Sequence, residues 1–86
     1  MSCNEVWHVT THDEAVTYYL AVMKCTRDND TYYMIYYKLT KHGSYEETLQ
    51  DFIPDEFKDE KKAIEFAKMI QQELEKSRDW EMKEYE

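Results

Sequence analysis

The chain has 86 residues, with 19 acids against 11 Lys plus Arg, a formal charge of −8, thirteen aromatics, one glycine and one proline. This length holds one domain. The composition excludes a Gly/Pro-rich disordered chain, and two cysteines are too few for a disulfide scaffold. The charge argues against a surface that grips nucleic acid by neutralising phosphates.

The first segment, Met1 to Glu5, lacks both a basic stretch and an apolar stretch, so no secretory signal is expected. No apolar run approaches the roughly 20 residues of a spanning helix. The expectation is a cytoplasmic chain that makes no use of a membrane, with Cys3 and Cys25 as reduced thiols.

In chain order, Glu5 to Thr11 reads as a strand, rich in β-branched residues and carrying Trp7. His12-Asp13-Glu14 is a polar break, and Val16 to Arg27 is a second strand. Asp28-Asn29-Asp30 is a turn, because Asn and Asp tolerate left-handed backbone. Thr31 to Thr40 (TYYMIYYKLT) is the strongest strand signal. Gly43 is expected to supply a positive φ in the next turn. Tyr45 to Ile53 follows as a fourth strand, closed by Pro54.

The period then changes. Ala63, Phe66, Ala67, Ile70 and Leu74 form one apolar stripe on a helix, with Asp59 as N-cap and Glu60 in the first turn. Trp80 to Glu86 alternates, which fits either a fifth strand or a helical end. The fold class is therefore α+β: an antiparallel meander of about four strands, with one C-terminal amphipathic helix on one face.

If Asn29-Asp30 is the two-residue turn, Arg27 pairs with Tyr32. Leu20, Val22, Ile35, Tyr37 and Leu39 then share the core face. Tyr19, Tyr32 and Tyr36 fall on the other face. One helix cannot cover both, so these tyrosines are expected to form an exposed aromatic patch.

Catalytic and ligand-binding patterns are weak. The spacing of Cys3, His8, His12 and Cys25 matches no zinc pattern. A single glycine cannot build a phosphate cradle. Pro54 to Lys61 contains the Pro-Asp and Asp-x-Lys fragments of metal-dependent nucleases only superficially, because the second fragment follows after four residues and enters a helix, where its acids suit the helix start. No enzyme activity, metal or cofactor is expected.

The charge is uneven. Residues 1–45 hold five acids and four bases, whereas residues 46–86 hold fourteen acids and seven bases. Glu46, Glu47, Asp51, Asp55, Glu56, Asp59 and Glu60 run along the fourth strand and into the start of the helix. Such a display either solvates a small protein or imitates nucleic-acid phosphates in a basic cleft of another protein. The second reading makes the chain a non-enzymatic inhibitor or modulator. Small phage and mobile-element proteins that block nucleic-acid-handling or host-defence proteins share this general profile. The alternative is an assembly module, such as a homodimer through the aromatic face or an edge strand. Direct binding of nucleic acid is not expected.

Overall fold

The computed structural model describes residues 2–12 and 15–84, with side chains to Lys76. The elements are β1 (Ser2–His12), β2 (Val16–Arg27), β3 (Asp30–Lys41), β4 (Glu47–Phe57) and α1 (Glu60–Glu84). The strands form one antiparallel sheet in the order β1-β2-β3-β4, so β1 and β4 are its edges. The α+β meander-plus-helix architecture read from the sequence is the one observed.

Helix α1 packs on one face only. Ala63 and Ala67 are fully buried against Leu20, Val22 and Ile35, with Trp7, Tyr37, Ile53 and Ile70 around them. The two alanines, four apart, let the helix backbone approach the central strands. Each large aliphatic side chain buried here contributes about 1.5–3 kcal/mol. Phe57 and Phe66 close one end, with ring centroids 5.3 Å apart. Asp59 caps the helix as expected: its Oδ1 accepts from the N–H of Lys61 at 2.8 Å and of Lys62 at 3.3 Å. The helix runs on to Glu84, so the alternation from Trp80 does not make a fifth strand. The last two positions of that segment, Tyr85 and Glu86, lie outside the described residues, as do Asp13 and Glu14 of the expected polar break.

Four local expectations are corrected. The first is the β2–β3 turn, which is Asp28-Asn29, with φ of 51° and 67°, so Arg27 pairs with Asp30 rather than Tyr32. Both residues in the left-handed region give the turn the twist that a two-residue hairpin favours. Moving the turn by one residue shifts the pairing by two, an even number. The faces therefore survive the change, and Tyr32 lies opposite Cys25.

The second is Gly43, which does not take a positive φ. Residues 42–46 make a connection long enough to reverse the chain without it. The third is Pro54, which does not end β4. Phe52 lies opposite Tyr36 and Glu56 opposite Met34, so Ile53, Pro54 and Asp55 bulge against Ile35 alone. A proline in a bulge of an edge strand removes no ladder bond.

The fourth concerns the cysteines, which form a disulfide, Cys3–Cys25, instead of two reduced thiols. Its cause is a second bulge, at Val6. Glu5 pairs with Met23, but Trp7 pairs with Val22. The extra residue sends Trp7 to the helix face while Cys3 and Glu5 stay on the opposite face. Cys3 then lies directly across from Cys25, with Cα atoms 4.1 Å apart.

The bridge closes a loop with a sequence separation of 22. Chain-entropy reasoning gives such a loop about 3 kcal/mol of stability. Urea unfolding of Cys3→Ser/Cys25→Ser should show a loss of that order. At the turn, Asn29→Val should cost about 1–2 kcal/mol, because a β-branched residue resists left-handed backbone. The same urea titration checks it.

Candidate functional surface

The face of the sheet opposite α1 carries a row of rings, one from each strand. His8 stacks on Tyr19 with centroids 5.8 Å apart. Tyr19 meets Tyr36 edge-on at 6.2 Å, and Tyr36 meets Phe52 at 5.4 Å. These are cross-strand neighbours of the directly opposite and diagonal kinds. Tyr19 and Tyr36 were legible as members of this face. His8 was missed because the Val6 bulge changes which β1 residues face which way. Phe52 was missed because its face depends on the β3–β4 register.

The polar tips of the row are satisfied within it. Tyr19 Oη donates to Glu5 Oε1, and Tyr36 Oη donates to Gln50 Oε1 at 2.8 Å. Glu5 also faces His8 Nδ1 at 3.3 Å. The bulge brings Glu5 and His8 onto one face although they are three residues apart.

Tyr32 departs from the expected exposed patch, with only 1% of its surface exposed. The Arg27 guanidinium lies over its ring, 4.9 Å from the centroid, and reaches Glu56 Oε1 with Nη2 at 3.9 Å. Cys25, opposite Tyr32, is fully buried as well. This end of the face is closed by the protein's own side chains.

At the other end, Thr17 Oγ1 is hydrogen-bonded to His12 Nδ1 at 3.1 Å and to His42 Nε2 at 2.7 Å. The backbone N–H of His42 donates to the Ala15 carbonyl at 2.7 Å, which fixes the loop. His42 Nδ1 lies 3.7 Å from Glu46. Between these residues and the ring row runs a shallow groove of about 440 Å³, lined by Thr10, Thr17, Tyr19, Tyr36, Lys38 and Thr40. Among the described residues, no three of His, Cys, Asp and Glu gather as metal ligands.

The acidic residues do not form one uniform patch. Three have local tasks: Asp59 caps α1, Glu56 pairs with Arg27 and Glu46 lies by His42. Glu60 occupies the first turn of the helix, where negative charge is favoured. Glu47 and Asp51 lie on the helix side of β4, opposite Lys41 and Tyr37, and Asp55 lies in the bulge. All seven are exposed. Nearby, the Lys58 ammonium donates to Asp30 at 2.8 Å and holds the Asp30 carboxyl below its usual range. That contribution is present above the ordinary carboxylate range and is lost on acidification. Among the described residues, no helix is long and apolar enough to cross a membrane.

The Tyr19 phenol is pushed up to about 12, chiefly by its hydrogen bond to Glu5, then by burial and by the Glu5 charge. The unfolded phenol ionises near pH 10. The stabilisation is thus complete below about pH 10 and is lost as pH rises towards the folded value. Ultraviolet titration should show one tyrosine ionising last, and Glu5→Gln should return it towards the ordinary range.

Comparison with protein families, with curated proteins and with solved structures returns no match for this chain.

Proposed function

We propose that this chain is a non-enzymatic protein-binding inhibitor or modulator that offers the β4 edge and the start of α1 to a basic surface on another protein. The observation that carries the reading is the charge of one exposed edge. Strand β4 holds Glu47, Asp51, Asp55 and Glu56 and no Lys, Arg or His. An edge strand presents unpaired backbone groups, and acidic side chains there repel a second identical edge. The same charges favour a partner lined with Lys and Arg. A protein that handles nucleic acid has such a surface, and carboxylates in its cleft would stand in for phosphates. Competition with nucleic acid for that cleft is the inhibitory mechanism, and host-defence proteins that grip nucleic acid are one such class.

Glu47, Asp51 and Asp55 are the residues to test, because none of them caps the helix or pairs with Arg27. Glu47→Lys/Asp51→Lys/Asp55→Lys should keep its circular dichroism spectrum and melting temperature near those of the parent. Affinity capture from the native host should yield a protein that heparin elutes from the parent chain and that the triple variant fails to hold. Equal capture by the variant would remove this reading.

A further inference from the structure

We propose that the open sheet face is a self-association surface, on which two copies pack face to face around the row His8, Tyr19, Tyr36 and Phe52. Four observations converge on a second copy as the occupant.

The first is charge. The chain carries −8, yet among the described residues the middle of this face holds only Glu5 and Lys38, with Arg27, Asp30 and Glu56 at one end. The formal balance of those five is −1. Two strongly acidic molecules can therefore meet here with little like-charge opposition, whereas their β4 edges would repel each other.

The second is polar satisfaction. The Tyr19 and Tyr36 hydroxyls already donate within the protomer, to Glu5 and Gln50. Covering the row with apolar surface would leave neither hydroxyl without an acceptor.

The third is size. Four strands about 4.8 Å apart, each paired over roughly ten residues at about 3.3 Å, give a face on the order of 600 Å² in projection. A corrugated face exposes more than its projection, which brings it close to the roughly 800 Å² per partner of a standard interface.

The fourth is symmetry. A twofold axis in the interface plane, along the row or across it, maps the row onto itself. Aromatic then meets aromatic in both copies, as an isologous contact requires, at the roughly 10 Å spacing of stacked sheets. Of the acidic β4 residues only Glu56 lies on this face, where it pairs with Arg27. Glu47 and Asp51 lie on the helix side and stay outside the contact, so the dimer does not depend on the residues that test the acidic-edge reading.

Sedimentation equilibrium in roughly 0.15 M salt, where surface charge is screened, tests the proposal. The parent should reach twice the 10.6 kDa chain mass as concentration rises. Phe52→Asp and, separately, Thr10→Arg should each return it to the chain mass while circular dichroism still reports a folded protein. Leu49→Asp, at an exposed site on the helix side of β4, should leave the dimer intact. A parent that keeps the chain mass at every concentration overturns the proposal. So does a dimer that survives both face variants, or one that Leu49→Asp alone dissociates. A face protected from hydrogen exchange only after a different protein is added would overturn it too.

Discussion

The structure depends on burying one helix stripe against one face of a four-stranded sheet. Ala63 and Ala67 set the approach, and Leu20, Val22 and Ile35 fill the contact. A single helix supplies one covering layer, and a sheet has two faces. The second face must stabilise itself by contacts among its own side chains. It does so with the cross-strand disulfide, the ring row and the Arg27 cover over Tyr32. The groups that make the second face distinctive are the ones that compensate for its missing layer.

Two bulges shape that arrangement. The bulge at Val6 turns Trp7 towards the core and leaves Cys3 and Glu5 on the open face. The bulge around Pro54 carries β4 onward to Phe57, which reaches Phe66 on the helix. Both lie on edge strands, where an extra residue disturbs one ladder rather than two. The helix-side acids of β4, Glu47 and Asp51, and the near-neutral open face are separate surfaces with opposite electrostatic demands. One repels its own copy and attracts cations. The other tolerates a like-charged neighbour because little charge lies on it.

The element order, the helix stripe, the Asp59 cap and the face assignment of Leu20, Val22, Ile35 and Tyr37 were legible in the sequence. These rest on local periodicity and capping chemistry, which neighbouring residues decide among themselves. The face assignment holds although the turn lies one residue earlier than expected, because the resulting register shift is even. Tyr19 and Tyr36 fall on the open face for the same reason. The acid cluster was visible as composition, but its division into Asp59 as cap, Glu56 as ion-pair partner and Glu47 and Asp51 on the helix side was not.

What only the tertiary structure decided depends on pairing across strands. The disulfide needs Cys3 opposite Cys25, and that follows from one extra residue at Val6. The burial of Tyr32 needs Arg27 to fold over it, which an alternating pattern of residues does not express. The His12–Thr17–His42 contact joins residues from three separate segments. Sequence alone determines which residues are apolar and with what period, because those are properties of neighbours along the chain. Register, bulges and side-chain closure are settled only when distant segments meet, because one inserted residue reverses every face beyond it.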